Sequence, residues 1–192
     1  MPNPARYDRH ATVKKATHLF WEKGFHATSM RNLQEHIDMR PGSIYATFGS
    51  KEGLFKEALQ YYADSGVTRL TEYTDSYASP VDALKNFMRD MVQGGETAPS
   101  EMCMLVKTVS ELTEDNVELL EEAKRLLGVM EGAFAAVLIK AQELGEFDRS
   151  KDARRMARFF QMQLIGLRVY ARANEDAKVD ELIDDIFDCL SK

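Results

Sequence analysis

Apolar residues recur along this chain at the three-to-four spacing that lines one face of a helix, and no segment alternates at period two as a half-buried strand would. From Arg9 to Lys23, Val13, Ala16, Leu19 and Phe20 share one stripe, with Lys14, Lys15 and Glu22 outside it and Gly24 as the stop. Ser29 suits the N-cap of a second helix, Met30 to Ile37, that keeps Met30, Leu33 and Ile37 on one side. Pro41, tolerated at a first helical position, opens a third helix that Gly49 ends. Its Ile44 and Phe48 point one way, and Ser43, Ala46 and Thr47 point the other. Three short helices closing over Val13, Phe20, Phe25, Leu33, Ile37, Ile44 and Phe48 predict a helix-turn-helix module over residues 1–49.

Residues 50–192 form the second domain. A helix capped by Ser50 carries Leu54, Phe55, Ala58, Leu59 and Tyr62 past Gly66 toward Tyr73. Ser79-Pro80 starts another (Val81, Leu84, Phe87, Met88, Met91), which stops at Gly94-Gly95, and Gly94 to Ser100 reads as a loop. Helical spacing resumes near Glu101, pauses at Thr113-Glu114-Asp115 and runs from Val117 to Leu144. Asp152–Ala173 and Val179–Leu190 follow, giving an all-α fold of about nine helices.

Composition changes this picture in one respect. With 44% hydrophobic residues the 192-residue chain can bury a sizeable core, and its net charge of −6 argues at first against a nucleic-acid partner. The charge is divided, however: nine Lys and Arg stand against five Asp and Glu through residue 56, and sixteen against twenty-six beyond it. The front is basic, the back acidic. Lys51 also sits in the first turn of the fourth helix, against the helix dipole, which an external anion would explain.

Other chemistry is sparse. Cys103 and Cys189 form no CxxC or Cys/His spacing, and His10, His18, His26 and His36 have no ligand spacing, so no disulfide framework, metal site or cofactor is expected. No nucleophile–base pair or Gly-rich phosphate loop suggests an enzyme. No apolar run reaches the ~20 residues that cross a bilayer. The N-terminus lacks the apolar core of a secretion signal, so a cytoplasmic location is expected.

Arg9, Val13, Ala16, Leu19-Phe20, Gly24-Phe25, Thr28-Ser29-Met30-Arg31, Leu33, Gly42-Ser43-Ile44-Tyr45, Phe48, Ser50-Lys51-Glu52 and Leu54, in that order, resemble the DNA-binding domain of the tetracycline-repressor (TetR) family of bacterial regulators. Asp38 stands where the family usually has a turn glycine, and Arg40 where it usually has serine before the recognition helix. The resemblance implies a homodimer with a three-helix reading head, a helical sensor domain and release of a palindromic operator when a small molecule binds.

By motif position, Tyr45 and Lys51 would contact phosphates, and Thr28 and Ser29 would hold the other side of the groove through hydroxyls or backbone N–H groups. Arg31, Arg40, Gly42, Ser43, Ala46 and Thr47 are left at or near base edges. The sensor pocket would be lined by Met88, Met91, Cys103, Met104, Phe134, Leu138 and Phe159. The dimer would form through Phe160, Leu164, Gly166, Leu167, Ile183, Ile186 and Phe187 of the last two helices. Cys103, near a helix start and four residues before Lys107, is either a reactive thiolate or a small apolar filler. The competing class of function is a helical adaptor that binds protein rather than DNA.

Overall fold

The computed structural model describes residues 8–94 and 99–191. Among them run α1 (Arg9–Lys23), α2 (Met30–Ile37), α3 (Pro41–Phe48), α4 (Lys51–Ser76), α5 (Pro80–Gln93), α6 (Met104–Glu111), α7 (Val117–Glu143), α8 (Ala153–Ala173) and α9 (Val179–Ser191), with a 3-10 turn at Glu114–Asn116 and no strand. Side chains specify most of the starts. Asp8 accepts from the Ala11 N–H, Ser29 and Asn32 form a reciprocal capping box, and Ser50, Ser79 and Asp152 cap α4, α5 and α8. No helix of the described residues is long and apolar enough to cross a membrane.

α6 departs from the sequence pattern, starting at Met104 rather than near Glu101. The Ser100 hydroxyl accepts from the Met102 N–H, a local turn that competes with helix at that point. Of the expected loop Gly94–Ser100, residues 95–98 lie outside the described residues.

The chain packs as two compact units. The first holds the described residues up to Tyr62 together with Met104–Lys124. Sequence pattern divides the chain at residue 49; this unit also takes in the first turns of α4, all of α6 and the start of α7. Its core sets Phe55 against Phe20 and Phe25, ring centroids 4.8 and 4.9 Å apart, above buried Leu33, Ile37, Ile44 and Leu54. The second unit, Ala63–Cys103 with Arg125–Lys192, is built around one aromatic from each of five helices. Tyr73, Phe87, Phe134, Phe160 and Phe187 follow one another edge to face at 5.8, 5.9, 4.8 and 5.9 Å.

Candidate nucleic-acid interface and its support

The turn between α2 and α3 depends on Asp38, whose backbone is left-handed at φ 54°, ψ 48°, the only positive φ outside glycine among the described residues. Aspartate tolerates that conformation better than most side chains, so the motif keeps its turn without glycine. α3 then buries Ile44 and Phe48 and presents Arg40, Gly42, Ser43, Tyr45 and Ala46 outward, with Thr47 half-buried at the edge. Tyr45 is 50% exposed, so its hydroxyl is open to a partner outside the protein. A side chain at position 42 would meet nothing within 4 Å, so the backbone there is open to close approach. Arg31, on α2, is exposed and paired with Glu35 at 2.9 Å, which raises its already high pKa; it stays a cation.

Of the two ways Thr28 was expected to reach phosphate, its hydroxyl is engaged inside the protein. Its side chain is fully buried, and its hydroxyl donates to the Gly24 carbonyl at 2.6 Å, so it ties α2 to the end of α1. Ser29 stays exposed, its hydroxyl shared with Asn32.

Lys51 lies with its ammonium 4.2 Å from the centroid of the Phe25 ring. Burial pushes its pKa down, against the pull of the Glu52 and Glu111 carboxylates, so an anion placed there would gain a poorly solvated cation. Phe25 is itself held by a contact that spacing within the motif could not reveal. Glu111, at the end of α6, accepts from the backbone N–H groups of Phe25 and His26 at 3.0 and 2.7 Å. One turn earlier Lys107 donates to the carbonyls of Trp21 and Glu22 at 2.7 and 3.1 Å, among the last carbonyls of α1. α6 therefore grips the α1–α2 corner with both charges. Gly24, at φ 87°, fits beneath, because a Cβ there would lie 2.5 Å from the Glu111 carboxylate. Nothing in residues 1–58 signals these partners; only the helical i, i+4 spacing of Lys107 and Glu111 places them on one face.

The same contacts alter the reading of Cys103. Lys107, the cation expected to favour its thiolate, has its ammonium on the α1 carbonyls. Cys103 is half-buried immediately before α6, and Cys189 is exposed.

In the second unit, Met88, Phe134 and Leu138 are buried in one apolar cluster with Met91 and Phe159 packed against it, while buried Met104 belongs to the first unit. A polar group absent from the sequence reading is Arg168. It donates through one terminal nitrogen to the Glu101 carbonyl at 2.5 Å, and its buried Nε has no partner. Arg172 pairs with the Glu101 carboxylate at 3.3 Å.

Of the expected dimer residues, Phe160, Leu164, Leu167, Ile183 and Phe187 are buried in the chain's own core, where the wide apolar faces of α8 and α9 meet α5 and α7. Gly166, Ile186 and one side of Leu167 line an open groove of about 320 Å³ with Phe159, Gln163, Tyr170, Leu182, Asp185 and Cys189. Along α8, Met162, Val169 and Tyr170 are 66%, 46% and 51% exposed. Gly166, Leu167 and Ile186 of the expected set thus reach the outward groove, while Phe160, Leu164, Ile183 and Phe187 belong to the core alone.

Comparison with known proteins agrees with this architecture. The model of the tetR family of bacterial regulatory proteins matches residues 13–58, and that of the tetracyclin repressor-like C-terminal domain matches residues 80–185. The HTH-type transcriptional repressor ComR of Escherichia coli K12 is 26% identical over 94% of this chain and 86% of its own length. The repressor DhaR of Mycobacterium sp. strain GP1 is 24% identical over 95% and 91%. The structure of a cysteine mutant of the TetR family regulator CifR with 26-bp double-strand operator DNA is 25% identical, covers 98% of both chains and has a TM-score of 0.81.

Proposed function

We propose a mode of action from the premise that this chain belongs to the tetR family of bacterial regulatory proteins. It is a ligand-responsive transcriptional regulator that binds double-stranded DNA as a dimer. Its action is repression, as in the relatives named repressors, on a palindromic operator held in the absence of effector and released when a small molecule enters the second unit. The observation that carries this reading is the outward face of α3, set by the Asp38 turn and flanked by exposed Tyr45.

Tyr45, Lys51 and Ser29 take phosphates and fix register, while Arg31, Arg40, Ser43, Ala46 and Thr47 meet base edges beside the open backbone of Gly42. The two subunits join through the outer face of α8 and α9, with Met162, Val169, Tyr170, Gly166 and Ile186 at its centre, because a contiguous apolar surface on a regulator needs cover. The effector carries a hydrogen-bond acceptor, which the stranded Nε of Arg168 favours. Catalysis has no part in this account.

Selection of duplexes from a random-sequence pool by the full-length protein tests the reading. A two-fold symmetric consensus, bound with a steep dependence on salt, is expected. Enrichment of nothing, or binding that ignores salt, would leave the helical-adaptor reading in its place.

A further inference from the structure

The grip of α6 on the reading head invites a question that the DNA face alone does not answer: what holds Lys51 where a phosphate could find it? Lys51 stands over the ring of Phe25, and Phe25 is fixed through its own N–H and that of His26 by the two oxygens of Glu111. Lys107 holds the preceding carbonyls of α1 from the same face of α6, one turn away. We propose that Lys107 and Glu111 are positioning residues for DNA binding: they set Phe25, and Phe25 sets Lys51 at its phosphate. This rests on the reading of the chain as a DNA-binding regulator.

Three features of the contact support positioning rather than ordinary packing. Both holds are charge-assisted hydrogen bonds to backbone, which demand direction as well as proximity and are lost over a displacement of about an ångström. Both lie on one helix face, so one movement of α6 breaks them together. The glycine is also matched to the carboxylate: a Cβ at Gly24, whose φ is 87°, would lie 2.5 Å from a Glu111 oxygen, so the bare backbone there leaves the carboxylate its place.

Electrostatics gives the proposal its sharpest contrast. Glu111 is a negative charge near Lys51, and if it did no more than attract that ammonium, removing it would strengthen DNA binding. Positioning predicts the opposite sign. Its weight is that of a charge-assisted hydrogen bond, about a tenfold loss of affinity in Glu111→Ala.

The experiment uses the full-length protein and the duplex that the wild type selects from a random pool, with fluorescence anisotropy over a salt series. Lys51→Ala should weaken binding and lower the slope of log K against log salt by about two for a dimer with one phosphate lost per subunit. Glu111→Ala and Lys107→Met should each weaken binding, and the double variant Glu111→Ala, Lys51→Ala should be no weaker than Lys51→Ala alone. Multiplicative losses, or tighter binding by Glu111→Ala, would overturn the proposal. Hydrogen exchange of the DNA-free protein tests the grip separately: the Phe25 and His26 amides should both exchange faster in Glu111→Ala, and only one of them in Glu111→Gln, which keeps a single accepting oxygen; wild-type exchange in the rest of the head guards against a misfolded variant. Unchanged exchange overturns the grip even if the protein binds DNA. A wild type that selects no duplex overturns the DNA-binding reading instead, whatever the exchange shows.

Discussion

Single side chains separate reading from holding on the head. With Tyr45 and Lys51 proposed at phosphate, Tyr45→Phe should weaken binding of every duplex by a similar factor, about 1 kcal/mol, with no change in preferred sequence. Thr47→Ala or Arg31→Ala should instead alter the preferred sequence; a uniform loss from either would move that residue to the phosphate group. Thr28 belongs to neither. Its buried hydroxyl satisfies the Gly24 carbonyl, so Thr28→Val should lower folding stability by about 1–3 kcal/mol and leave the salt slope as it is, which thermal melts and anisotropy would show. The motif placed Thr28 beside Ser29 at phosphate because sequence spacing gives a residue's order along a turn and not which way a hydroxyl faces. Asp38 was readable for a converse reason: few residue types accept a left-handed backbone, so the type itself carried the geometry.

Helices show the same division between what periodicity reveals and what it cannot. The bounds of α1, α2 and α3 follow from caps and stops that are local in sequence, and they stand where the pattern placed them. On α8 and α9 the pattern gave wide apolar faces but could not say which edge turns inward, since core and interface favour the same residue types. The two sets now make opposite predictions. Phe187, buried beneath Lys85 and beside Phe160, should unfold the protein when changed to Asp, at a cost of roughly 4 kcal/mol or more. Tyr170→Glu, on the outer face, should leave helicity intact and yield a monomer in light scattering. Cys189 gives an independent check because it lines the same groove: its alkylation should be slow in the dimer and fast in Tyr170→Glu, measured by mass spectrometry. Equal rates would place the dimer contact elsewhere.

Across the full chain, charge is distributed according to task. The net −6 conceals a basic reading head, and only the head's share meets DNA. The division of the chain was harder to foresee. Residues 104–124 belong with a unit that ends at Tyr62, an association between distant segments that no local composition change announces. Because α6 travels with the head, the isolated residues 1–49 should lose the holds of Glu111 and Lys107 and bind duplex DNA more weakly per site than the intact chain, beyond the loss due to dimerisation alone. The proposal of Arg168 as the effector's polar partner rests on the burial of its Nε rather than on a motif. A panel of small carboxylates in a thermal-shift assay should contain compounds that raise the melting temperature of the wild type and fail with Arg168→Leu; equal shifts in both proteins would remove Arg168 from the effector site.

The chain has one tryptophan, and Trp21 is the residue whose carbonyl receives Lys107 while its indole meets Tyr62 edge-on at 5.0 Å. The regulator thus contains a natural fluorophore at the joint between α1 and α6. Emission excited at the red edge of the protein band should shift when Lys107→Met frees that joint, and should change along the time course of operator release in stopped flow. No label is needed to watch the head let go.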